Sequence, residues 1–280
     1  MVDTEIVFLE GSLHQGDPST IKVGFTTTIL GNLSFRSGPQ NMVQENQAKL
    51  RRLLGGASIL ILNSRHSLTI NTSSKSGFEP PRARQVALGD NSLGSFVNQP
   101  VFTPPDTDFV RQSRDGFDGL FLVGHHPGLY ILSPTADCVT LLFHHPQTNS
   151  IGAVHVGLWA ALHGFGGAAV RAWKEFSIPP AELKIWLSPC IRSCYQVSQS
   201  SVWKMIPPQI QEQYPLSNGR INLDQIIIQQ LIANGVNPDQ VNDCGICTSC
   251  APNLFSNFRG GANGDRSLVG RFGSFIGYTN

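Results

Sequence analysis

Cys138 and His155 are the first residues whose types and separation suggest chemistry. Cys138 opens the apolar run CVTLLFH (138–144), His155 lies near the end of IGAVHV (151–156), and a polar turn centred on Pro146 and Gln147 separates them. Two strand-like runs joined so closely are expected to fold back as an antiparallel hairpin. With a turn of two to four residues, Cys138 then falls opposite residues 155 to 157. Directly opposite Cβ atoms in such a pair lie ~5 Å apart and diagonal ones ~7–8 Å. A thiol beside an imidazole serves as a nucleophile with its base, or as a pair of metal ligands. Buried strand residues satisfied within a core are the plainer alternative. His66, just after the run SILILN (58–63), is available as a third group. Two histidines and one cysteine would suit a catalytic zinc with its fourth position open. Copper accepts the same ligands, so ligand type alone does not choose the ion.

The elements that must position these residues alternate without a strict β-α-β rhythm. EIVFL (5–9), KVGFTTT (22–28), SILILN (58–63), GLFLV (119–123), LYILS (129–133) and LKIWLS (183–188) read as strands. Residues 41–54 read as a helix stopped by Gly55-Gly56, and 158–175 as a helix rich in glycine and alanine. A further helix spans 223–235, with Asn222 or Asp224 as cap and Gly235 as stop. Residues 71–117 are proline-rich and polar, and read as a loop insertion or lid. No internal repeat appears. The expected architecture is one α+β domain over 1–280 with mixed sheets.

Composition narrows the function classes. Charged residues make up 14% of the 280 and apolar residues 40%, with 20 basic against 19 acidic side chains. A net charge of +1 does not build the one-sign field of a nucleic-acid or membrane-surface binder. The basic cluster Lys49, Arg51 and Arg52 reads as a solvated helix face. Acidic residues come early at the N-terminus, no apolar run of signal-peptide length follows, and no stretch nears the ~18 apolar residues of a membrane span. A cytoplasmic protein is therefore expected. Its six cysteines then read as thiols, ligands or nucleophiles rather than disulfide partners. CGICTSC (Cys244, Cys247, Cys250) could clip a second metal or form a redox cluster, with Cys190 or Cys194 as a fourth ligand.

The run PTADCVTLLFHHPQTNSIGAVHVGLWAALHG resembles the signature of the YfiH-like polyphenol-oxidase family, once described as multicopper, laccase-like proteins. SPCIRSCYQV, VQENQAKLRRLLG, NSRHSLTI and the C-terminal CTSCAPNLFSNFRGGANGDRSLVGRFGSFIG resemble further family motifs, in order along most of the chain. The resemblance implies a layered α-β-β-α fold related to the cytotoxic-necrotizing-factor catalytic domain. It implies a zinc held by His66, Cys138 and His155, and purine nucleoside chemistry: phosphorolysis of adenosine, inosine or methylthioadenosine, and adenosine deamination. It also implies that Ser256 and Arg259 of FSNFR contact substrate or phosphate, with a nucleoside and phosphate as the small-molecule partners. Relatives linked to peptidoglycan editing suggest an alternative, a hydrolase with Cys138 as nucleophile and His155 as base. A metal-binding relative without catalysis is another. The sequence departs from the family at Ile29 and Trp159, where basic residues are usual, at Leu158, where tryptophan is usual, and at Arg65 and Ser67 around His66. The missing basic residues bear on phosphate binding.

Overall fold

The hairpin expected from residues 138–156 lies at the centre of the molecule. The computed structural model describes residues 4–9, 21–62, 64, 70–74, 110–112 and 118–279. In chain order the strands are β1 (Ile6–Phe8), β2 (Ile21–Thr26), β3 (Ser58–Ile61), β4 (Ile70–Ser74), β5 (Val110–Gln112), β6 (Gly119–Val123) and β7 (Leu129–Thr135). They continue with β8 (Val139–His145), β9 (Ser150–Val156), β10 (Lys184–Leu187), β11 (Val241–Asp243) and β12 (Phe272–Tyr278). The helices are α1 (Gln40–Leu53), α2 (Leu158–Leu162), α3 (Phe165–Lys174), α4 (Ser201–Met205), α5 (Pro208–Gln211), α6 (Leu223–Ala233) and α7 (Asn257–Asn263). All but the first residue of β4, and all of β5, fall inside the stretch expected as an insertion, and 75–109 and 113–117 lie outside the described residues.

The strands form two mixed six-stranded sheets, in the orders β1-β2-β12-β7-β3-β5 and β11-β10-β8-β9-β6-β4. In the second sheet, β10, β8, β9 and β6 run antiparallel to their neighbours, and β11 and β4 add parallel edges. Every residue of β8 and β9 is buried, because both faces of this sheet are covered. Leu120, Leu122, Leu142, Ile151 and Trp186 meet Val23, Leu60, Ile131 and Ile276 of the first sheet. Phe121, Leu141, Phe143, Val154 and Val156 point the other way, onto α2, α3 and α6. The first sheet's outer face packs under α1 through Leu50, Ile59, Ile61, Leu132 and Phe275. The order helix, sheet, sheet, helix is the layered α+β arrangement expected.

The long helix expected over 158–175 is two helices. Gly164 adopts φ 77°, a left-handed conformation that turns the chain between α2 and α3. Asn222 stands before α6 but makes no side-chain cap bond. Among the described residues, no helix is long and apolar enough to cross a membrane.

Candidate active site

Three adjacent strands of the second sheet bring the expected thiol and imidazole together. Val139 pairs with Val156 and Thr140 with His155. Cys138 therefore sits one step before the ladder, diagonal to His155. Side chains alternate faces along a strand, so Cys138 and His155 share the face of Leu142 and Ile151, between the sheets. Next to β9, Gly119 pairs with Val154, and the His155 N–H donates to the Asp118 carbonyl at 2.6 Å. By the same alternation Asp118 faces the same side. Its Oδ1 lies 3.8 Å from His155 Nδ1, both side chains being almost fully buried. Burial pulls the His155 imidazole down. The charge of Cys138 and hydrogen bonds to Asp118 and Cys138 outweigh it and raise the ring from 6.5 to about 9.

The turn that presents Cys138 is held from several directions. Asp137 has φ 77°, a conformation uncommon for a residue with a side chain. Its Oδ1 accepts from Thr248 Oγ1 at 2.7 Å, its Oδ2 from the Phe258 N–H at 2.8 Å, and its carbonyl from the Ile191 N–H at 2.8 Å. Thr135 Oγ1 donates to the Cys138 carbonyl at 3.0 Å. Asp137 thus fixes the loop around the thiol.

Ser256 and Arg259 are positioned as supports. Buried Ser256 caps α7 by accepting from the Arg259 N–H at 3.1 Å. The Arg259 Nη atoms donate to the carbonyls of Thr248, Ser249, Ala251 and Leu254. A different arginine lies within electrostatic reach of the thiol. Arg271, at the entry to β12, donates from Nη1 to Asn257 Oδ1 at 2.8 Å and to the Gly270 carbonyl at 2.7 Å. Burial lowers its pKa, the charges of Cys138 and Asp137 raise it, and Arg36 stands near enough to lower it again. Arg271 thus feels both the thiol and a second cation, Arg36, while Ile29 is exposed to solvent and Trp159 is an apolar residue stacked on His163. Tyr195, packed edge-on against Phe258, also feels the charges of Cys138 and Asp137.

Sequence reasoning missed Asp118, Arg271 and the link from Thr248 to Asp137. The one signal for Asp118 was an acidic residue directly before GLFLV. Two further histidines, both in β8, have partners away from the thiol: His144 Nε2 meets Tyr278 Oη at 3.0 Å, and His145 bonds Thr148 and Glu182. His66 lies outside the described residues.

The donor set suits a borderline divalent ion. Thiol and imidazole share one face of the sheet, with a buried carboxylate oxygen 3.8 Å from the imidazole Nδ1, near enough to bear on the ring's charge.

Residues 27–279 match the family described as Multi-copper polyphenol oxidoreductase laccase. The chain is 25% identical over 167 residues to Purine nucleoside phosphorylase YlmD of Bacillus subtilis, covering 57% of this chain and 58% of that one. It is 27% identical over 177 residues to human Purine nucleoside phosphorylase LACC1, covering 60% of this chain and 39% of the relative. The matched segments thus span less than two thirds of these relatives. Among solved structures, the Bacillus licheniformis hypothetical protein YfiH superposes with a TM-score of 0.67 at 23% identity, over 92% of this chain and 93% of that one. YlmD from Geobacillus stearothermophilus gives 0.66 at 24%, over 95% and 94%. At these identities the structures speak to the fold, which they share with this chain. Its match from residue 27 to 279 makes the chain a member of the Multi-copper polyphenol oxidoreductase laccase family.

Proposed function

We propose that the chain is a zinc-dependent purine nucleoside phosphorylase whose centre is His66, Cys138 and His155. The observation that carries this reading is the meeting of half-buried Cys138 with buried His155, backed by Asp118, with Arg271 close enough to feel the thiol's charge. The names of the Bacillus and human relatives support the substrate class. Zinc is preferred to copper because ribosyl transfer needs polarisation without redox change.

When bound, zinc would polarise a substrate oxygen or lower the pKa of a water ligand to about 7. Asp118 holds the His155 ring in one orientation. Arg271, with Arg36 beside it, supplies the positive field for phosphate, in a fork geometry suited to that anion. A phosphate oxygen then bonds to C1′ as the C1′–N9 bond breaks, and the electron pair leaves with the purine, which takes a proton. This pair of arginines answers the loss of basic residues at Ile29 and Trp159.

The placement of Cys138 diagonal to His155 on one face of the hairpin also supports a second reading, a thiol hydrolase with His155 as base. One panel separates the readings: metal-loaded protein incubated with adenosine, inosine or methylthioadenosine, with and without phosphate. Phosphorolysis gives free base and sugar phosphate only when phosphate is present, and Arg271→Ala should raise the KM for phosphate by about tenfold or more. Ammonia released from adenosine without phosphate identifies deamination instead. Turnover that survives chelation yet stops on alkylation of Cys138 identifies the hydrolase. Silence towards all three nucleosides by metal-loaded protein identifies a non-catalytic relative.

A further inference from the structure

Away from the Cys138 centre, three more thiols converge. Cys194 lies in the segment after β10, and Cys247 and Cys250 lie in the segment before α7. Cys194 Sγ is 3.1 Å from Cys247 Sγ and 3.2 Å from Cys250 Sγ, and all three sulfurs lie within 4.8 Å of one another. The backbone dictates this meeting. Cys190 bridges to Cys247 in parallel, with the Cys190 N–H bonded to the Ile246 carbonyl and the Thr248 N–H to the Cys190 carbonyl. The N–H groups of Cys250 and Ala251 both return to the Cys247 carbonyl, so the chain turns tightly and brings Cys250 back beside Cys247.

We propose that Cys194, Cys247 and Cys250 form a second metal site, a three-thiolate zinc clip joining these two segments. Thiolates select soft and borderline ions, zinc foremost. At a Zn–S length of about 2.3 Å, tetrahedral geometry sets the sulfurs about 3.8 Å apart. Moving Cys194 about 0.6–0.7 Å from its two neighbours meets that spacing, well within side-chain rotation. A disulfide explains the geometry less well: it would take two sulfurs and leave the third without a role, whereas Cys194 stands almost equidistant from both neighbours. Binding one ion forms three sulfur–metal bonds and releases the thiol protons to solvent. Cys250 is exposed, which leaves a water able to complete the fourth position.

The remaining cysteines stand apart, which corrects the local Cys244-Cys247-Cys250 reading. Cys244 is not among the converging sulfurs, and Cys190 is buried in the core beneath α6. The clip has a structural consequence. Thr248, next to Cys247, holds the carboxylate of Asp137, so an ion here braces the floor of the Cys138 turn.

The test counts metal in a Cys138→Ala background, which removes the other centre from the tally. Zinc per chain is measured after dialysis against metal-free buffer. Cys138→Ala is expected to retain about one zinc, and Cys138→Ala/Cys194→Ser about none. A Cys138→Ala chain that holds no zinc, or whose zinc survives Cys194→Ser, overturns the proposal. Should the double variant misfold, alkylation of the Cys138→Ala chain decides. Zinc should slow labelling of Cys194, Cys247 and Cys250 together by about tenfold or more relative to chelated protein. Equal labelling with and without zinc overturns the clip, as does a Cys194 disulfide in protein isolated under reducing conditions.

Discussion

The molecule has two thiol-bearing corners built in different ways. At one, Cys138, His155 and Asp118 come from three neighbouring strands, and their meeting follows from hairpin register and the alternation of side chains. At the other, Cys194, Cys247 and Cys250 come from two irregular segments, and hydrogen bonds between turns bring them together. The strand-built corner buries its imidazole and carboxylate, half-buries its thiol, and mixes nitrogen, sulfur and carboxylate, a set suited to reaction. The loop-built corner is sulfur alone and reaches the surface, a set suited to fastening. Rigid strands fix a reacting geometry, while loops gain rigidity from what they bind.

The sharpest way to break this contrast is to remove the thiol from the strand-built corner. Cys138→Ala should lower phosphorolysis by more than about a hundredfold, measured as base released in saturating phosphate, with the circular dichroism spectrum unchanged. Removing the support behind the ligand should cost less. Asp118→Asn keeps the shape but loses the charge, and should lower activity or zinc affinity about tenfold to a hundredfold. Packing beneath the same strands offers a stability test. A Cβ at Gly152 would meet Phe121 Cδ1 at 2.4 Å and Trp173 Cζ2 at 2.9 Å, so Gly152→Ala should destabilise the fold by about 1–3 kcal/mol in a denaturant titration. The smallest effect joins the corners. Thr248→Val removes the donor to Asp137 and should cost about 1 kcal/mol of stability and severalfold in activity, while leaving zinc at the three-thiolate cluster intact.

The same contrast explains what the sequence made legible. The 138–156 hairpin was readable because a short polar turn ties its register, and register places Cys138 near His155. The alternation of Leu142 and Ile151 against Leu141 and Val154 supports two covered faces and hence the layered fold. Residues brought together by distant segments left weaker traces. Arg271 sits in a short GRF run, and glycines at 273 and 277 dilute the pattern of β12, which pairs with β2 and β7 across much of the chain. The motif around Ser256 and Arg259 was visible, but only the hydrogen bonds show the arginine's Nη atoms directed at carbonyls. In the cysteine run, spacing suggested Cys244 as a partner, and the turn at Cys247–Ala251 selected Cys194 instead.

Parallel phosphate-dependence and zinc analysis of the wild-type chain and Cys138→Ala most directly probes the strand-built corner. The expected result is purine base and sugar phosphate from a nucleoside only when phosphate is added, with turnover and one zinc lost together in the variant. A variant that keeps both its full complement of zinc and its phosphorolysis would contradict a reacting centre at Cys138.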